Sequence, residues 1–222
     1  MQQDAYADDT TEATFMAKVY RWMALGLALT GLTAFGVFSS PALAQVIIGN
    51  RLVFFGLLIA ELLMVVAFMP VLKRASFGTA AAMFLAYCAL SGLTFSVYLF
   101  AYTGQSVANV FFVTGGTFLG MSAYGTLTKK DLTSWGSFLM MGLFGMIIAG
   151  VVNLFVRSDA LGFVFSCIGV VVFTGLTAYD TQKIRGYARA GDDRYALSGA
   201  LNLYLDFVNL FISLLRLFGK RR

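Results

Sequence analysis

The stretch YALSGALNLYLDFVNLFISLLRLF, Tyr195 to Phe218, decides the fold of this 222-residue chain. As a helix its 24 residues reach about 36 Å, enough to cross a bilayer core of about 30 Å. Its polar residues are Ser198, Asn202, Asp206, Asn209 and Ser213, spaced 4, 4, 3 and 4. That spacing puts them on one helical face, while Leu, Phe, Val, Ile and Tyr fill most of the rest. A polar stripe on a membrane helix faces the bundle interior or water, not lipid. It either glues helices together or builds a site.

Outward from this segment the same pattern recurs. Apolar residues make up 59% of the chain and charged residues 12%, half the charge of a soluble domain, and the mean hydropathy is +0.80. Six further apolar spans are expected: Trp22 to Phe38, Leu52 to Met69 (stopping at Pro70), Phe77 to Phe100, Val107 to Gly125, Trp135 to Val156, and Leu161 to Tyr179 or a little beyond. Seven spans of about 20 residues take up roughly 140 positions and leave no room for a soluble domain. The segments are too long and too uniformly apolar for barrel strands, so the expected fold is an all-α polytopic membrane protein. Residues 1–16 read as a tail and 17–222 as one seven-helix domain. Gly116 and Gly120, four apart, are expected to let helices approach closely.

The chain has no histidine, which removes His-activated nucleophiles and His-ligated metals or haem. Cys88 and Cys167 lie in separate apolar segments and form neither a zinc site nor a disulfide framework; both are expected to be buried packing residues. The net charge of +5 reflects topology, not nucleic-acid binding, since Lys and Arg gather in cytoplasmic loops. Lys18, Arg21, Lys73, Arg74, Lys129, Lys130, Lys183, Arg185, Arg189 and Arg194 lie on the N-terminal side, against Arg51 and Arg157 opposite. That asymmetry puts the N-terminus in the cytoplasm. The basic tail (Arg216, Lys220, Arg221, Arg222) then falls outside if the seventh segment crosses, which its length favours over re-entry. Asp4, Asp8, Asp9 and Glu12 make the start acidic, unlike a signal peptide.

Intramembrane acids are costly and mark functional sites by default. Three qualify: Glu61, Asp180 and Asp206. The midpoint between Asp180 and Asp206 falls at position 193, inside the polar turn Gly191 to Arg194. In an antiparallel hairpin the two carboxylates therefore lie at similar depth. Lys183, three residues after Asp180, offers a simpler pairing. Two carboxylates in contact in a low-dielectric site cannot both ionise cheaply, so such a pair titrates as a unit. Deprotonated, with Asn202 and Asn209 nearby, it offers hard oxygens that suit calcium. Protonated, it loses that affinity.

At these residues the chain resembles the Bax inhibitor-1 family (transmembrane Bax inhibitor motif proteins), and its bacterial inner-membrane branch in particular. FMAKVY at Phe15–Tyr20, GLTAYDTQK at Gly175–Lys183, GALNLYLDFVNLF at Gly199–Phe211 and LRLFG at Leu215–Gly219 carry the resemblance, which covers nearly the whole chain. It implies seven helices with the C-terminal one at the centre. It also implies a pH-sensitive calcium leak sensed by an aspartate pair, here Asp180 and Asp206, with Thr177, Tyr179, Asn202 and Asn209 beside it. Some members hold that pair with a basic residue of the second helix. Here the only charge between Leu52 and Met69 is Glu61, so that latch is missing. Glu61 either adds a third acid to the pair or stands hydrogen-bonded by itself.

The expected function is thus a proton-regulated calcium leak of the bacterial inner membrane, with calcium transported or transiently bound and no tightly held cofactor. The alternative the resemblance implies is a regulator acting through partners: a suppressor of cell death, or a modulator of a membrane-anchored AAA+ protease of the FtsH type. An enzyme is not expected. Tyr179-Asp180 matches the first half of the aspartyl intramembrane protease signature, but Leu203-Tyr204-Leu205 replaces the Gly-x-Gly pattern before the second aspartate.

Overall fold

The computed structural model describes all residues except Met1, Arg157 and Gly191, and no side chain of residues 2–10, Leu154, Phe155, Arg189 or Ala190. Two basic residues of the topology argument, Arg157 and Arg189, and the acidic Asp4, Asp8 and Asp9 thus lie outside the described side chains. The elements are α1 (Gln2–Ser39), α2 (Pro41–Ile47), α3 (Arg51–Arg74), α4 (Phe77–Ala101), α5 (Gly104–Leu127), α6 (Thr133–Val156), α7 (Asp159–Arg185), a 3-10 turn (Gly186–Ala190) and α8 (Arg194–Phe218). Seven are long and apolar enough to cross a membrane, and the chain is an all-α polytopic membrane protein.

Local chemistry sets the boundaries. Ser40, Asn50, Ser76 and Thr103 each stand in extended backbone before a helix and accept a first-turn N–H with their side chains, filling donors a helix start leaves unpaired. Between the first two spans lies the short helix α2, with proline in its first turn, where a missing N–H costs nothing. Pro70 does not end the second span as expected: α3 runs through it to Arg74. Membrane helices absorb proline because the freed carbonyl is re-satisfied locally, and Lys73 and Arg74 complement the dipole of the last turn.

Two compact units divide the chain. The first comprises Met1–Tyr102, Gly186–Leu201 and Arg222. In it α1 packs on α4 and α3 on α4. A Cβ on Gly92 would stand 2.6 Å from the Thr30 carbonyl oxygen, so only glycine permits this α1–α4 approach. Thr30 donates to the Cys88 carbonyl at 2.9 Å, and Trp22 meets Phe77 and Phe84 edge-on at 6.0 and 6.2 Å. Lipid is as apolar as leucine, so close packing of this kind, more than hydrophobic transfer, holds such helices together. Outside the spans, Lys18 pairs with Asp193 at 2.6 Å. Arg194 pairs with Asp192 at 2.7 Å and donates to the Ala75 carbonyl at the end of α3.

The second unit comprises Thr103–Arg185 and Asn202–Arg221. Here α7 packs on both α5 and α6. Along α6 and α7 the pairs Gly136–Tyr179, Leu139–Gly175 and Gly142–Val172 meet in antiparallel register. A Cβ on Gly125 would collide with the Ala178 backbone. By contrast a Cβ on Gly116 or Gly120 would meet nothing within 4 Å; both are exposed. The expected packing role of that pair is corrected, and Gly125 takes it instead. Of the cysteines, Cys88 is buried and Cys167 exposed, so only the first fills a core as expected.

α8 crosses in full. Within the second unit the Thr103 N–H donates to the Lys220 carbonyl and the Lys220 N–H to Ser106 Oγ, both at 3.0 Å, so α8 ends where α5 begins. The far end of α5 meets the end of α7, where Arg185 donates to the Thr126 carbonyl. α8 is also the most buried span, with 56% of its apolar window buried against 6% for α3.

Candidate functional site: the aspartates of α7 and α8

The polar stripe of α8 points inward: Ser198, Asp206 and Ser213 are buried, and Asn202 and Asn209 half-buried. In the first unit Ser198 donates to Met69 Sδ at 3.2 Å. In the second, Asn209 Nδ2 donates to the Leu205 carbonyl and Ser213 Oγ to the Asn209 carbonyl, each at 2.8 Å. These bonds turn back onto the helix that carries them and occupy side chains that lipid cannot solvate. Asp206 differs from its neighbours. It is 4% exposed, and among the described residues its Oδ2 has no hydrogen-bond partner. Buried polar atoms are nearly always paired, so this one stands out.

Asp180 lies half-buried on α7, close enough to Asp206 for the two carboxylates to interact electrostatically. The hairpin register agrees. Deeper in the same pair of helices a Cβ on Gly169 would run into the Ser213 side chain, and the midpoint of that contact falls within one helical turn of the Asp180–Asp206 midpoint. Lys183 also reaches Asp180 electrostatically, with its Nζ 5.7 Å above the Tyr179 ring. Both expected partners of Asp180 therefore act on it. Thr177 is fully buried and donates to the Phe173 carbonyl. Tyr179 lies against Gly136 of α6. Glu61 belongs to the first unit, where Thr94 Oγ1 donates to its Oε1 at 2.5 Å.

Sequence patterns do not reveal the brace around Asp180. Thr181 Oγ1 donates to the Thr177 carbonyl and contacts Ser122 Oγ of α5 at 3.0 Å. Gln182 accepts from the Leu132 N–H and donates to the Lys130 carbonyl, both at 2.9 Å. Thr177 and Thr181 show an i, i+4 signal, but nothing in the sequence singles out Ser122. Among the described residues no group of three or more Cys, Asp or Glu could hold a metal ion. A cation here would meet two carboxylates and neutral oxygens.

These features define a polytopic helical membrane protein with acids inside its spans. The family described as "Inhibitor of apoptosis-promoting Bax1" (Bax1-I) matches residues 12–222. The inner membrane protein YbhL of Escherichia coli (strain K12) is 44% identical over 216 residues, covering 94% of this chain and 92% of its own. A Deinococcus radiodurans protein is 43% identical over 100% of this chain and 98% of its own. A membrane protein of Streptococcus pyogenes serotype M3 is 34% identical over 93% and 92%. The chain belongs to the Bax1-I family.

Proposed function

We propose that this protein is a pH-sensitive calcium leak of the bacterial inner membrane, its N-terminus cytoplasmic, governed by protonation of Asp180 and Asp206. The observation that carries the proposal is the buried Asp206 Oδ2 without a hydrogen-bond partner among the described residues, on a span facing a second carboxylate. The E. coli relative, an inner membrane protein by name, supports the location. Deprotonated, the pair and the amide oxygens of Asn202 and Asn209 supply hard ligands of the kind calcium takes. A proton on the pair removes one anionic ligand and weakens the hold on the cation. Thr177 and Tyr179 keep the Asp180 turn in place, and no reaction chemistry is required.

The test is calcium entry into proteoliposomes from pH 5 to 8, comparing the native protein with Asp180→Asn and Asp206→Asn. A pH-dependent flux that either substitution abolishes or fixes supports the leak. No calcium flux at any pH overturns it and favours action through a partner protein, which would tolerate Asp206→Asn.

A further inference from the structure

The second unit carries an apolar groove beside the turn that holds Asp180. It has a volume of about 600 Å³, within the usual range for ligand sites, and lies between α5, α6 and α7. Its walls are apolar: Met121, Leu139, Val171 and Gly175, with the aromatic rings of Tyr124 and Trp135. Val171, Gly175 and Tyr179 recur every four residues on α7, so this wall runs about 12 Å along one helical face. Gly175 lets Leu139 of α6 close against α7 at the groove: a Cβ there would stand 2.8 Å from Leu139 Cδ1. Thr174 lines the groove too, and among the described residues its buried hydroxyl has no partner.

One end of the groove is polar. Lys130 and Asp131 form its rim, and Lys183 stands over Tyr179 of the same wall. Lys129 is adjacent in sequence and exposed. Asp131 is the opposing charge. Its carboxylate accepts from Thr133 N–H at 2.9 Å and Thr133 Oγ1 at 2.6 Å, so it serves the start of α6. Trp and Tyr favour the level of lipid headgroups, and Trp135 is 63% exposed beside this rim. An apolar slot with an aromatic collar and a surplus of lysine at one end complements a single molecule type.

The geometry points to a binding site for an anionic glycerophospholipid, one acyl chain lying along α7 and the phosphate at Lys130 and Lys183. Lipid is the occupant because the groove lies in a membrane-spanning unit, and an anionic one because three lysines (Lys129, Lys130 and Lys183) stand at its mouth against Asp131 and, beside Lys183, Asp180. The groove borders the Asp180 turn through Tyr179 and Lys183, but its readout is lipid preference and not calcium flux, so its test stands whether or not that flux is found.

Trp135 is one of only two tryptophans, so a Trp22→Phe protein reports from this groove alone. In vesicles the quenching of Trp135 is compared for brominated phosphatidylglycerol and brominated phosphatidylcholine of equal chain length. The expected result is about fivefold preference for the anionic lipid, the effect of roughly one lysine near a charged headgroup. Lys130→Ala with Lys183→Ala should bring the ratio to about one, and Thr174→Phe should reduce quenching by both lipids. Equal quenching by the two lipids means bulk lipid only and overturns the site. So does a preference that survives the double lysine substitution.

Discussion

Replacing Gly125 by alanine adds one methyl group at the closest approach of α5 to α7. The new Cβ would stand 3.0 Å from both Cα and the carbonyl carbon of Ala178, and nearer still to its oxygen, where ordinary contact begins at 3.4 Å. These are backbone atoms of a packed helix and cannot rotate away, so the helices must part by at least roughly 0.5 Å, enough to forfeit about a quarter of the dispersion energy of the facing contacts. Overpacking of this kind costs about 1–3 kcal/mol. The Ser122–Thr181 bond, already 3.0 Å long and one turn away, is lost at about 1 kcal/mol more. The expected loss is therefore about 2–4 kcal/mol, read as a lower midpoint of reversible unfolding in detergent micelles. Gly116→Ala is the control: it meets nothing within 4 Å and should gain about 0.5–1 kcal/mol from backbone entropy. If Gly125→Ala proves as stable as Gly116→Ala, the account of α5–α7 packing fails. Because Ala178 lies two residues before Asp180, the same variant should also disturb whatever pH response the pair confers.

Thr94→Val keeps the shape of a buried side chain but removes the donor to Glu61. It should destabilise by about 1–3 kcal/mol in the same unfolding assay, and Glu61→Gln, which can still accept that bond, by less. Lys18→Ala breaks an exposed pair with Asp193; a loss of less than about 1 kcal/mol that shrinks with added salt is expected. Hydrogen bonds from Arg194 hold the Asp192 carboxyl below the usual carboxylate range. A lowered folded-state value means that the contact stabilises the turn above the ordinary carboxylate pKa. The contribution disappears as pH falls through the lowered value. The protection factor of the Arg194 amide, which donates to Asp192 at 2.9 Å, should therefore fall only below the ordinary carboxylate range. A protection factor that falls between pH 5 and 7 would count against that pairing.

Membrane spans announce themselves locally. A run of apolar residues long enough to cross lipid has one low-energy form, since every backbone group must be paired within the helix. The seven spans were therefore legible from residue order alone, with ends correct to a few residues wherever Ser, Thr or Asn caps stood. The stripe of α8 was legible for the same reason: five polar side chains on one face could not be turned to lipid, and the structure buries or half-buries each of them. Asp180 and Asp206 could be matched because a hairpin turn ties their depths together through chain length.

What depends on a neighbouring helix was not legible. Pro70 marks a stop by local rules, yet α3 continues because its surroundings tolerate the missing bond. Gly116 and Gly120 have the spacing of a packing motif, but no helix lies against them; Gly125, with no motif, touches Ala178. That Glu61 accepts from a hydroxyl depends on Thr94, 33 residues away on another helix. Whether Asp180 is braced depends on Ser122, on another helix. Hydropathy and period are properties of one segment and survive without its partners, whereas a close contact or a hydrogen bond exists only once two faces have met, and that choice belongs to the tertiary structure.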